Sequence, residues 1–392
     1  MNKYPELFEY LEYAYSCAVR GKSKRKEIQE RNQHHEKNIK KLYNDIVSGN
    51  YQIGRSKRYI VKDPVIREIV VIPFRDRIIQ HLVAYYLTPL FELQRIYDSY
   101  ANRVGKGTLL GIQRMDHHIR SVSHNYTREA RILKCDIQSC FMSLSRTLVR
   151  ELVTRRVFAV TTLWDKSLIL SLINTIIFHD YVTGRYDCTS SAMRNILPVK
   201  KSMINCLPGH GFPLGNLTSH LFANIMLHEL DLFVKHELHI PGYGRYVDDF
   251  VCIHPDQEYL KTCIHRIACF LKEHLCLSLH PKKIYFQPVT HGVLFLGVNI
   301  KPYCRLVGKR IIKKSTHLVN NTPKNHSVDT GKTVAQRINS YLGLMRHHSS
   351  FALRKWMIKS LPPFWYDELR VRKGYLSVKP RRRVIEATQK TS

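Results

Sequence analysis

Gly242-Tyr243-Gly244-Arg245-Tyr246-Val247-Asp248-Asp249-Phe250-Val251-Cys252-Ile253 is the stretch on which the fold turns. Strand-favouring residues flank two adjacent carboxylates, the pattern of a strand, a tight turn and a second strand over Tyr243 to Ile253. The two carboxylates repel each other, and partial burial between apolar strands disfavours their ionised forms. A divalent cation resolves that conflict, because hard Mg²⁺ takes a few carboxylates together with phosphate oxygens and water. Asp is also a common turn residue, so a second carboxylate source has to decide between a plain turn and a metal site. Ile132-Leu133-Lys134-Cys135-Asp136 supplies it: a short apolar strand ending in an aspartate that can lie beside the Asp248-Asp249 turn. Two ions about 3.5–4 Å apart in such a site would clamp the attacking and leaving oxygens of an in-line displacement.

The surrounding chain suits that reading. Sixty-two Lys and Arg against 31 Asp and Glu leave a net charge of +31 over 392 residues, spread along the sequence. Such a field attracts polyanions, and phosphate neutralisation with counterion release supplies affinity for nucleic acid. No long apolar run suggests a membrane span. The start, Met1-Asn2-Lys3-Tyr4-Pro5-Glu6, has no basic-then-apolar signal, so a cytoplasmic location is expected. None of the ten cysteines forms a CxxC pair, and reduced, mostly buried thiols are expected. Cys263, His265, Cys269, His274 and Cys276 resemble a metal cluster at first sight. Leu260, Ile264, Ile267, Leu271 and Leu275 run through them at helical spacing, which predicts an amphipathic helix instead.

Residues 1–50 read as helices. A hairpin is expected from Tyr59-Ile60-Val61-Lys62 and Ile69-Val70-Val71-Ile72-Pro73, turning at Asp63-Pro64. A helix through Ile78, Ile79, Leu82, Val83, Tyr86 and Leu87 should end near Pro89, and another should cover 107–129. One helical stretch is expected over 146–175, with Leu148, Leu152, Leu163 and Ile173 among its apolar positions, and irregular chain from Tyr181 to Pro208. Asn216 or Thr218 is expected to cap a helix running through Phe233. Lys379-Pro380-Arg381-Arg382-Arg383 reads as a loose basic tail.

Taken together, the motifs resemble those of reverse transcriptases from about Tyr59 to Leu344. Asp136-Ile137 with Phe141 resembles the family's first palm motif, and Tyr246-Val247-Asp248-Asp249 its catalytic hairpin. His291-Gly292-Val293-Leu294-Phe295-Leu296-Gly297 is similar to the strand that supports the primer grip. Ile72-Pro73-Phe74-Arg75-Asp76-Arg77 resembles the segment joining fingers to palm in the bacterial branch. The resemblance implies an α+β right-hand polymerase: an N-terminal helical segment (1–50), fingers (51–130), a palm with an antiparallel sheet (131–305), a small helical thumb (306–375) and a basic tail (376–392). It implies two Mg²⁺ ions, replaceable by Mn²⁺, held by Asp136, Asp248, Asp249 and the Ile137 backbone. Template RNA, primer, cDNA and deoxynucleoside triphosphates are the implied partners.

Within the family, Gly211-Phe212-Pro213-Leu214-Gly215-Asn216-Leu217-Thr218-Ser219 and Ile338 to Leu344 resemble the reverse transcriptases of diversity-generating retroelements. Most other members carry Gln where Leu214 stands. The resemblance implies error-prone copying at template adenines, a bacterial or phage source and a basic ring-forming accessory protein. His220 departs from the branch, which has Gln there. Residue by residue, the resemblance gives Lys62, Arg67, Phe141, Leu214, Gly215 and Lys283 to the deoxynucleotide, with Phe141 excluding ribose and Lys282 or Lys283 protonating pyrophosphate. It gives Arg103, Lys106, Tyr246, Leu296 and Gly297 to template and primer. The loop Tyr100–Thr108 lacks the GxxxxGK[ST] spacing of a nucleoside-triphosphatase P-loop. Rival readings are a retron, abortive-infection or intron-type reverse transcriptase, or a catalytically silent nucleic-acid-binding protein. Too few residues follow the thumb for the extra domains of an intron-encoded enzyme.

Overall fold

The computed structural model describes residues 5–22, 26–63, 65–161, 164–323 and 331–381. The chain opens with helices α1 (Pro5–Val19), α2 (Lys26–Asn32) and α3 (His35–Val47). Pro5 is the first residue of α1, where its missing N–H costs nothing. Strands β1 (Lys57–Val61) and β2 (Arg67–Val71) pair antiparallel as the expected hairpin, in register from Lys57↔Val71 to Val61↔Arg67. Pro64 of the expected turn lies outside the described residues. Helix α4 (Phe74–Glu92) buries the predicted stripe against α1 and α10, and Pro89 lies inside its final turn, three residues before it stops. Helix α5 (Thr108–Val122) is shorter than the expected 107–129. His124, Asn125 and Tyr126 all have positive φ, which a right-handed helix cannot hold, and they turn the chain into β3 (Arg131–Asp136).

The helix expected over 146–175 is two pieces, α7 (Arg146–Phe158) and α8 (Lys166–Phe178), with the one-turn α6 (Cys140–Ser143) ahead of them. Ser145 caps α7 by accepting from the Leu148 N–H, and Asp165 caps α8 by accepting from Ser167 and Leu168. Leu163 falls between them, outside the described residues. The segment expected to be irregular contains β4 (Tyr186–Asp187), which pairs parallel with β1, a short helix α9 (Ser191–Asn195) and two 3₁₀ turns. Fully buried Glu68 in β2 holds it in place, accepting from Arg185 Nη1 at 2.6 Å and Ser202 Oγ at 2.7 Å.

Helix α10 (Leu217–Leu232) is nearly all buried. Strands β5 (Gly242–Tyr246) and β6 (Asp249–His254) follow, then the predicted amphipathic helix α11 (Gln257–Leu275), capped by Asp256. Strand β7 (Tyr285–Pro288) completes an antiparallel sheet of order β5-β6-β3-β7. A smaller sheet holds β8 (Val293–Phe295), β9 (Val298–Lys301) and β10 (Cys304–Val307). Helices α12 (Lys309–Asn320), α13 (Gly331–Met345), α14 (Phe351–Lys359) and α15 (Phe364–Glu368) enclose a core of their own around Ile338, Leu342, Met357 and Trp365. The basic end is not wholly loose: β11 (Leu369–Val371) pairs with β12 (Val378–Pro380), which contains Lys379 and Pro380. Arg382 and Arg383 lie outside the described residues.

Alternation along the central sheet sorts its residues to two faces. Leu133, Cys135, Phe250 and Cys252 enter the main helical core. Ile132, Val251 and Ile253 pack under α5 and β8–β9 with Met115, Phe295 and Val298. By the same alternation Lys134, Asp136 and Asp249 share this second face, at the end the apolar residues leave open.

Candidate active site

Strand register brings the three aspartates together. Asp136, last in β3, lies directly opposite Asp249, first in β6. The Ile137 N–H donates to the Asp248 carbonyl at 3.1 Å, so the residue expected to offer its backbone fixes the hairpin turn. Val247, at φ +57, makes that turn in left-handed backbone unusual for a β-branched residue. Its carbonyl accepts from Arg245 Nη1 at 3.0 Å. The buried Arg245 guanidinium also donates to both Asp231 oxygens, each at 2.6 Å, and to Asn224 Oδ1 at 3.3 Å. Tyr243 adds a hydroxyl bond to Asp231 at 2.8 Å. The hairpin that carries Asp248 and Asp249 thus hangs from α10 by a buried, hydrogen-bonded ion pair. Sequence reasoning found the aspartates but missed Arg245, Asn224 and Asp231.

Two ammonium groups sit among the carboxylates. Lys283 Nζ is 2.9 Å from Asp136 Oδ1, and Lys134 Nζ is 3.0 Å from Asp249 Oδ2. Lys134 was also missed, although it stands two residues before Asp136 and the strand period puts both on one face. These lysines do not balance the site. Burial, then the neighbouring Asp136 charge, pushes the Asp248 carboxyl above its ordinary value. Burial pushes Asp249 up to about 6 despite Lys134. Asp249 Oδ1 is buried with no hydrogen-bond partner. Among the described residues no three potential ligands are yet drawn close enough to hold an ion. The orphaned oxygen and the shared unfavourable charge nevertheless fit a divalent cation held by Asp136, Asp248 and Asp249.

Among the residues expected at the nucleotide, exposed Arg67 opens β2 and its charge acts on both Asp248 and His220. Lys62, also exposed, follows the end of β1. Phe141 is half-buried, packs on the main core and meets the His220 ring edge-on at 5.0 Å. Leu214 packs on a small cluster with Val70, Ile72 and Met203, and its carbonyl accepts from the Val70 N–H at 2.9 Å. Gly215, at φ +103, passes so close to β2 that a Cβ would lie 2.8 Å from Ile69 Cγ2. Helix α10 starts one residue after Asn216, whose side chain makes no cap bond; Gln80 Oε1 caps Leu217 instead, at 3.1 Å. Of the two candidate lysines, Lys283 contacts Asp136. Lys282 has its backbone N–H on the His280 ring.

The residues expected at template and primer divide differently. Arg103 is turned inward, its side chain 5% exposed, donating to Glu92 and to the Ile96 and Ser99 carbonyls. That geometry ties a loop and does not present a cation to phosphate. Lys106 remains near the surface, 3.1 Å over the Tyr97 ring. Tyr246 pairs with Asp249 across the hairpin. Leu296 and Gly297, expected within a strand, are the two-residue turn between β8 and β9, with φ +50 and +83.

The model of the family described as reverse transcriptase (RNA-dependent DNA polymerase) matches residues 60–300. The chain belongs to that family. Its fold is accordingly the α+β right hand, with the four-stranded sheet as palm. No curated protein sequence matches the chain. Among solved structures it is similar to telomerase from Candida albicans with a TWJ fragment of telomeric RNA, at 14% identity and TM-score 0.47, over 82% of this chain and 60% of that one. It is also similar to telomerase from Candida tropicalis with the same kind of RNA fragment, at 12% identity and TM-score 0.47, over 81% and 54%. Apo telomerase from Candida tropicalis matches at 12% identity and TM-score 0.44, over 79% and 61%. The chain therefore spans less than two thirds of each of these telomerase chains.

Proposed function

We propose that this chain is an active RNA-directed DNA polymerase that adds deoxynucleoside monophosphates to a primer and releases pyrophosphate. The observation that carries the reading is the pairing of Asp136 with Asp249, which sets a strand carboxylate beside the Asp248-Asp249 turn. Mg²⁺, when bound, supplies Lewis acidity to the primer 3′-hydroxyl and the α-phosphate. Asp136, Asp248 and Asp249 would hold it; Arg67 would reach toward the triphosphate; Lys283 would donate a proton to the departing pyrophosphate. Phe141, on the sugar side, excludes a 2′-hydroxyl. Residues 51–130, 131–305 and 306–375 serve as fingers, palm and thumb.

A narrower reading is that the template is the RNA of a diversity-generating retroelement, copied with errors at adenines, in a bacterial or phage setting and with a basic ring-forming accessory protein. Leu214 supports it: an aliphatic side chain at the fingers–palm contact supplies no amide to position the nucleotide and template. The test is to copy an adenine-containing RNA with wild type and Leu214→Gln and sequence the cDNA. Frequent errors opposite adenine that fall in the variant agree with the reading. Faithful copying by wild type removes it and favours a retron, abortive-infection or intron type. Absence of cDNA from a complete assembly that binds RNA moves the silent binding-protein reading forward.

A further inference from the structure

Lys134 makes two bonds from one ammonium group. Its Nζ lies 3.0 Å from Asp249 Oδ2 and 2.7 Å from the Leu294 carbonyl in β8. The side chain is 16% exposed, against 48% for Lys283 on Asp136. The position follows from the sheet, because Lys134 pairs with Val251 in β6 and so stands diagonally from Asp249 on one face. Asp249 is bonded on one oxygen only; Oδ1 is buried without a partner.

We propose that Lys134 is an internal cation that holds Asp249 while the metal site is empty and competes with the metal for that carboxylate, setting metal affinity. The inference rests on the reading of Asp136, Asp248 and Asp249 as metal ligands. An ammonium within 3.0 Å of a ligand oxygen neutralises part of the charge that would attract a divalent ion, and it repels that ion directly. Little water screens it, so its influence exceeds that of Lys283, whose half-exposed ammonium is well solvated. Were Asp249 to hold an ion, the 2.7 Å bond to the Leu294 carbonyl would still give Lys134 a partner. With the Leu294 carbonyl as a second partner, a mostly buried ammonium left without any partner, which is costly, would be avoided.

The test is a Mn²⁺ titration of the full chain followed by electron paramagnetic resonance of the free ion, with no nucleic acid or nucleotide present. Lys134→Gln removes the charge and keeps an N–H donor for Leu294; it is expected to bind Mn²⁺ about tenfold more tightly than wild type. Lys134→Arg keeps the charge and should stay near wild type, and Lys283→Gln should tighten binding less than Lys134→Gln. If Lys134→Gln does not fold, Lys134→Met carries the same expectation. Equal or weaker binding by a folded, charge-removed variant overturns the proposal, the weaker case showing that Lys134 orients Asp249 for the metal. Wild type that binds no Mn²⁺, or binds it equally after Asp248→Asn, overturns the metal-site reading itself.

Discussion

Replacing Asp231 by Asn is the perturbation whose size the structure specifies best. The change is isosteric, yet it strips the counter-charge from Arg245, whose side chain is 1% exposed while that of Asp231 is fully buried. Two charged hydrogen bonds of 2.6 Å are weakened, and the guanidinium stays buried with only neutral partners, Asn224, Ser99 and the Val247 carbonyl. Breaking one side of such a pair costs about 3–5 kcal/mol, a large share of the roughly 5–15 kcal/mol that stabilises a domain. Urea unfolding of wild type and Asp231→Asn gives the difference directly. Primer extension well below the melting temperature should also fall, because the same guanidinium holds the turn carrying Asp248. The double variant Asp231→Leu/Arg245→Met removes both charges and should lose much less stability than the two single losses combined. A single-variant loss below about 1 kcal/mol would show that the pair does not carry the hairpin, since removing one charge of a buried pair cannot otherwise be that cheap.

Gly215→Ala should cost about 1–3 kcal/mol, because φ is +103 and the added Cβ would meet Ile69 Cγ2 at 2.8 Å; thermal melting measures it. Lys283→Ala should slow single-nucleotide incorporation about 100-fold, while Lys282→Ala should leave it unchanged in a rapid-quench assay. Phe141→Ala should raise incorporation of ribonucleotides relative to deoxynucleotides, read as a ratio of kcat/KM values; an unchanged ratio returns Phe141 to core packing. Although burial opposes it, two hydrogen bonds from Arg114 and the His118 ring 3.0 Å away hold the Asp98 carboxyl well below the usual carboxylate range. A depressed folded value means that the stabilisation is complete above the unfolded pKa of about 3.9 and is lost as pH falls below it. Asp98→Asn should therefore flatten the fall in stability below about pH 4 in acid unfolding curves.

Much of the site was legible because its signals are local. Apolar alternation around Asp136 and around Asp248-Asp249 fixes which residues are strands, and antiparallel pairing then has few ways to place the carboxylates. The α11 stripe was readable for the same reason: Leu260, Ile267, Leu271 and Leu275 are buried at the spacing that predicts a helix. Lys134 needed only the two-residue period to be placed beside Asp136. The Arg245–Asp231 pair was different, since 14 residues and a helix-to-strand reversal separate its members. Arg103 was misplaced because a glycine-rich basic loop looks the same whether its arginine faces phosphate or Glu92. The break between α7 and α8 was written in Asp165, a good capping residue that the apolar run around it concealed. Leu296-Gly297 looked like strand because Leu in left-handed backbone is rare, so the hydrophobic pattern outweighed the glycine signal.

The most direct test of the account is single-nucleotide incorporation by the full chain on an RNA template with an annealed primer, deoxynucleotides and Mg²⁺, supplemented with any accessory protein encoded beside it. Wild type should extend the primer, and Asp136→Asn, Asp248→Asn and Asp249→Asn should each fail while still binding the template. Extension by any of the three at the wild-type rate would contradict the claim that paired β3 and β6 build the nucleotidyl-transfer centre.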